Sequence, residues 1–354
     1  MNMKILIKIK KNLLSLFFLV FLFFLVVFSN TNLKAAKIGL TLWATNVIPS
    51  LFPFFVAVEL LKSTNIVYYI SLKLDKYMKP IFNSPGVAAF PLIMGLISGY
   101  PIGAKIVSNL YETKCCTKQE AERMLSFTNN SGPLFILGTV GTAFYDNSSI
   151  GLILLITHIL SAISVGIILG IQARFSKLSN NSIDKSAYNI ENSASISSLK
   201  VKDLHFSNIG VILSNAIFSA IKTTLMIGGF VVTFSVIISI LKRCGFLIFI
   251  SKIIATIFHL KSELILGFIT GILECTNGLN AISLIHLKNI SINIVLSAFI
   301  IGFGGLSVFL QVLGIVSQSK LSTRLYLKGK LLQAILAALY TYLILLIPFF
   351  NLNI

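Results

Sequence analysis

The feature that most constrains this chain is its series of long apolar runs, which are repeatedly cut by glycine, proline and small polar residues. Apolar stretches cover residues 13–28, 40–61, 150–171, 209–241, 246–260 and 331–350, with shorter ones between them. Runs near 20 residues match the hydrocarbon thickness of a bilayer. Of the 354 residues 56% are hydrophobic and 11% charged, whereas a soluble domain carries about a quarter charged residues. A water-soluble enzyme and a disordered chain are both excluded. The expected fold class is an all-α polytopic membrane protein.

The formal net charge is +18, from 29 Lys and Arg against 11 Asp and Glu. The basic residues sit in loops and at run ends, where they orient spans. No clustered basic face with interleaved aromatics points to nucleic acid. The four cysteines (115, 116, 244, 275) include no CxxC pair and the four histidines no ligand cluster. Neither a metal site nor a cofactor is expected, and a coupling cation stays open. No nucleophile–base–orienter motif stands out, so an enzyme is not expected.

Four segments are expected. Residues 1–37 hold Lys4, Lys8, Lys10 and Lys11 and then an apolar run. They read as an anchor helix with a cytoplasmic N-terminus, with a signal peptide as the alternative. Residues 38–172 and 208–350 form two apolar halves. Residues 173–207 are a Ser- and Asn-rich polar linker. Pro49 and Pro53 predict a kink in the run 40–61.

The interruptions carry the functional reading. Residues 86–105 read GVAAFPLIMGLISGYPIGAK, too many breakers for a plain span. Tyr100 precedes a proline and is pushed away from the helical region. A broken helix or a re-entrant hairpin follows. Residues 126–138, SFTNNSGPLFILG, stop and restart a helix around polar groups, and GILECTNGLN puts Glu274 between apolar residues and a Thr-Asn-Gly turn.

A shift of 172 places Leu92–Gly99 on Leu264–Gly271 with five of eight positions identical, and Gly132 on Gly304. Duplicated halves with interrupted segments at matching places are the sequence signature of a secondary transporter. Unpaired backbone cannot face lipid, so such breaks line a cavity or are buried. Their N–H ends favour anions and their carbonyl ends cations.

Candidate substrate residues are therefore Ser98, Tyr100, Lys105, Thr128, Asn129, Asn130 and Ser131 in the first half. The second half adds Glu274, Thr276, Asn277, Ser307 and Gln311. Lys105 is either a counter-charge or a snorkelling residue. Glu274 is either a site carboxylate or an interfacial one. Thr128 to Ser131 either contact substrate or cap the next helix. Gly302, Gly304 and Gly305 are expected to allow close helix approach.

The motifs SGYPIGAK (98–105), SFTNNSGPLF (126–135), ECTNGL (274–279) and GFGGLSVFLQV (302–312), in that order, resemble the YlbJ (SpoVV) family of sporulation integral membrane proteins. The resemblance covers about residues 38–350. It implies two Gate-type (nucleoside-recognition) repeats, related in fold to concentrative nucleoside transporters, with broken helices and re-entrant hairpins. It also implies an endospore-forming bacterium and movement of dipicolinic acid from the mother cell across the outer forespore membrane. The motif residues would then line the substrate path. Glu274 suits an anion only if it is protonated, bridged to Lys105 or used for a coupling cation. A nucleoside-like solute and a non-transporting partner role are the alternatives, and oligomeric state stays open.

Overall fold

A computed structural model describes residues 3–179, 209–285 and 291–347. The linker expected at 173–207 lies outside them from residue 180 onward; residues 173–179 continue a helix. Every element among the described residues is helical.

Helix α1 (Met3–Val27) is followed by α2 (Ser29–Leu42), a π-helical turn (Trp43–Val47) and α3 (Ile48–Lys62). The boundary drawn at residue 37/38 therefore falls inside a helix that starts at Ser29 and belongs to one span, Ser29–Leu61. The π turn precedes Pro49 and Pro53, each of which lacks the backbone donor of a regular helix.

Next come α4 (Ile66–Phe82), α5 (Ala89–Ser98), α6 (Ile102–Glu112) and α7 (Lys118–Thr128). A π-helical segment (Phe135–Phe144) and α8 (Ser148–Ser179) complete the first run. The second run is α9 (Ile209–Arg243), α10 (Phe246–Phe258), α11 (Ser262–Leu273), α12 (Cys275–Ser283), α13 (Ser291–Phe303), α14 (Gly305–Val316) and α15 (Arg324–Leu345). The last span starts seven residues before the apolar run at 331, which brings Lys330 inside it.

Among the described residues five helical stretches are long and apolar enough to cross a membrane, or up to seven if each bent pair counts as one. Those pairs are α4 with α5, bent by 105°, and α10 with α11, bent by 120°. Both bends feed a helix into a tight hairpin: α5 packs back on α6, and α11 on α12. The shift of 172 carries the residue range of α5 onto that of α11 and the range of α6 onto that of α12.

Local chemistry sets the ends. Thr117 and Glu120 form a reciprocal capping box at the start of α7. Gly99 at φ +78° turns the chain between the arms α5 and α6, and Gly304 at φ +84° breaks α13 from α14. Glycines also set how closely the helices approach. A Cβ on Gly95 would stand 1.6 Å from the carbonyl oxygen of Thr128, and one on Gly278 would stand 2.1 Å from Gly271 Cα.

This packing has a testable consequence. Gly→Ala in an open helix is normally favourable by about 1 kcal/mol. Gly95→Ala is expected to reverse that sign and cost about 3 kcal/mol or more, because backbone must move. Gly229, where an added Cβ would meet nothing within 4 Å, is the control. Thermal unfolding in detergent should show a lower Tm for Gly95→Ala and an equal or higher one for Gly229→Ala.

Candidate functional site

Four helix interruptions meet. The first separates Ser98 from Ile102, where Gly99 and a cis Tyr100–Pro101 peptide carry the chain. The second follows Thr128, with Asn129 extended at φ −95°, ψ 94°. The third is Glu274, extended at φ −145°, ψ 117°, between α11 and α12. The fourth is Gly304. Tyr100 Oη and Cys275 Sγ share a hydrogen bond of 3.3 Å, which joins the two hairpin tips.

Between the tips lies a narrow cleft. Ser98, Gly99 and Tyr100 line it from the first break, and Ser131 and Gly132 from the second. Glu274, Cys275 and Thr276 line it from the third, and Ser307 and Gln311 from the first turns of α14. Phenylalanines 54, 55 and 230 supply its apolar walls.

The cleft gathers unpaired polar atoms. Ser98 Oγ, Ser131 Oγ, Ser307 Oγ and Gln311 Oε1 are buried and have no hydrogen-bond partner among the described residues. Their residues are 1%, 2%, 1% and 6% exposed. Buried polar groups are normally paired. Four such atoms line one cleft.

Glu274 is 2% exposed. Its Oε2 accepts from Asn277 N at 2.7 Å and from Asn277 Nδ2 at 2.9 Å. It caps α12, so the carboxylate stands where the partial positive charge of that helix is strongest. The bridge to Lys105 is not formed. Lys105 is exposed on α6 and does not line the cleft.

Thr128, Asn129 and Asn130 are buried but do not line the cleft. Thr128 Oγ1 donates back to Met124 O at 2.8 Å. The two asparagines tie the break to α15: Asn129 Nδ2 donates to Tyr326 Oη at 3.1 Å, and Gln333 Nε2 donates to Asn130 Oδ1 at 3.0 Å. Lys330 Nζ donates to Asn129 O at 2.9 Å and to Gln333 Oε1 at 2.6 Å. Ser131 N donates to His158 Nε2 at 3.1 Å.

Lys330, Gln333, Tyr326 and His158 are thus site-forming residues outside the motif set. Lys330 is 2% exposed within a candidate span and has no carboxylate partner among the described residues. Its ammonium rests on the carbonyl end of α7, where the helix dipole favours a cation. The spacing of Lys330 and Gln333, one turn apart in an apolar helix, was the available sequence signal. Asn277 faces away from the cleft into a second cavity. Among the described residues no group of three His, Cys, Asp or Glu side chains could hold a metal ion.

Two substitutions separate support from solute contact. Glu274→Gln keeps an acceptor for Asn277 and should hold stability close to the parent, whereas Glu274→Ala should lose about 0.5–2 kcal/mol as a lost cap. Lys330→Met leaves two buried acceptors without their donor and should lose about 1–3 kcal/mol. Chemical or thermal unfolding of the purified variants measures both; an unchanged Lys330→Met would show that the α7–α15 tie carries no stability.

Comparison with known proteins matches this architecture to a family. The family model described as Gate, nucleoside recognition, matches residues 44–173, the first of the two runs. The sporulation integral membrane protein YlbJ of Bacillus subtilis (strain 168) is 34% identical over 350 residues, covering 95% of this chain and 83% of that protein. No solved structure matches the chain. With a helical membrane architecture, bent helix pairs and that identity along nearly its whole length, the chain belongs to the family of the sporulation integral membrane protein YlbJ.

Proposed function

We propose that the chain is a transporter, not an enzyme, and that it moves dipicolinic acid across the outer forespore membrane into the forespore. The observation that carries the transport reading is the set of four unpaired buried polar groups in a cleft between four helix interruptions. We further propose that residues 38–172 and 208–350 are equivalent Gate-type halves, each contributing one hairpin tip and one broken helix. The lipid bilayer is the surrounding partner; nucleic acid is not one.

The chemistry fits a planar pyridine dicarboxylate. Ser98, Ser131 and Ser307 offer hydroxyl donors, and Cys275 and Thr276 bring the first turn of α12 to the cleft wall. Phenylalanine walls suit an aromatic ring. Glu274 requires compensation when a dianion enters, by a proton or a coupling cation on the carboxylate. A second reading, a nucleoside-like neutral solute, is favoured by one specific observation: the cleft contains Glu274 and no lysine or arginine. The Gate description of the matched family supports the same reading.

Ser131→Ala and Ser307→Ala test the reading. Each removes a hydroxyl that meets no hydrogen-bond partner among the described residues, so Tm should stay within a degree or two of the parent. A hydrogen bond to a charged group contributes about 1.5–3 kcal/mol, so each variant should lose roughly 10- to 100-fold in kcat/KM for dipicolinate uptake into liposomes. Uptake unchanged in both would contradict the cleft as the solute site. Uptake of uridine in place of dipicolinate would select the second reading, and uptake of neither would favour a non-transporting partner role.

A further inference from the structure

A second cavity, of about 530 Å³, is lined by Asn277, the hydrogen-bond partner of Glu274. Its cations come from two helices: Lys34 from α2, and Lys242 and Arg243 from the end of α9. No aspartate or glutamate lines it. Lysines and arginines at helix ends often do no more than orient a span, but two further observations point to a ligand here. Thr270 Oγ1, on a residue 2% exposed, lines the cavity without a hydrogen-bond partner. And a hydrogen-bonded pair of side chains connects the walls of this cavity and the inner cleft. Asn277 lines the cationic cavity, donates to Glu274 Oε2 at 2.9 Å, and accepts from Ser235 Oγ at 3.1 Å. Glu274 lines the cleft on the other side.

We propose that this cavity is an anion-collecting vestibule, which gathers a carboxylate-bearing solute and hands it to the cleft past the Glu274–Asn277 pair. Three like charges along one wall of a cavity with low-dielectric surroundings raise the local concentration of an anion and its rate of arrival. The inner cleft has hydroxyls and helix ends but no cationic side chain, so the vestibule supplies the attraction that the cleft lacks. The assignment rests on the anionic-solute reading above and names where that selectivity resides. It also gives Asn277 a role: a positioning residue between the two chambers, held by Ser235 on α9.

The test is the triple variant Lys34→Gln, Lys242→Gln, Arg243→Gln in the full chain. None of the three is fully buried, and unfolding temperature checks that the fold is kept. In liposomes of neutral lipid the variant should raise KM for dipicolinate about tenfold at low salt and leave kcat unchanged. The parent's KM should rise with salt, because mobile ions screen exposed charges over about 10 Å at 0.1 M; the variant's should not. An unchanged KM with the salt dependence intact overturns the proposal. If the variant does not fold, Lys34→Gln alone, on an exposed residue, should show a smaller shift in the same direction, and no shift there overturns it.

A lipid phosphate offers the same anionic chemistry, so a second arm uses vesicles containing phosphatidylglycerol and native mass spectrometry. Phosphatidylglycerol retained by the parent, lost from the triple variant, and without effect of the substitutions on dipicolinate uptake would assign the cavity to lipid and overturn the solute role. Equilibrium dialysis of dipicolinate against the detergent-purified protein separates this proposal from the transport reading. Salt-sensitive binding that the triple variant loses and Ser307→Ala keeps would uphold the vestibule even where no uptake occurs. No binding to the parent protein overturns the vestibule together with the anionic reading.

Discussion

The fold depends on one constraint: a backbone N–H or C=O at membrane depth must find a partner, because lipid offers none. The hairpin arms make this acute. Helices α5, α6, α11 and α12 have 10, 11, 12 and 9 residues. At 1.5 Å per residue each spans roughly 14–18 Å, about half of a 30 Å hydrocarbon layer. Their tips therefore end inside the membrane and must be covered by protein. The tips are turned toward each other and toward the breaks after Thr128 and at Gly304, so that exposed backbone from one interruption meets polar groups from another. The cleft is the shared interior of these four interruptions, and its polarity follows from that.

Two buried ionisable residues, Glu274 and Lys330, obey the same electrostatics in opposite senses. Glu274 stands at the N-terminal end of α12 and accepts from its first-turn amide. Lys330 stands at the C-terminal end of α7 and donates to a carbonyl there. Each charge is set against the partial charge of opposite sign that a short helix presents. The carboxylate faces the cleft, whereas the ammonium lies behind the second break, within a network that holds Asn129 and Asn130 in place. Arg123 does comparable work on the outside of this region, where its guanidinium donates to Asn83 O at the end of α4.

Much of this was legible from residue order. Gly99, Pro101, Gly132, Pro133 and Gly304 mark the interruptions because each breaks a helix for a local backbone reason, and local reasons are written in local sequence. Glu274 was visible as an acid among apolar residues. The faces of the helices were harder. Lys105 follows the first break in sequence, yet it lies on the exposed side of α6 next to the buried Ala104, which composition does not reveal. The partners of Asn129 and Asn130 lie about two hundred positions later, on α15, so their structural role depends on packing that no short motif encodes. Lys330 was missed because the apolar run begins only at residue 331, while the helix begins at Arg324. The cationic cavity combines α2 with α9, which pack together from opposite halves of the chain.

The central claim is that the four interruptions together form one solute site. Hydrogen–deuterium exchange of the purified protein, with and without saturating dipicolinate, tests it most directly. Slower exchange on adding solute in peptides covering residues 98–102, 129–133, 274–277 and 304–307 together is the predicted result. Protection confined to one half, or absent from all four while the solute demonstrably binds, would contradict the account.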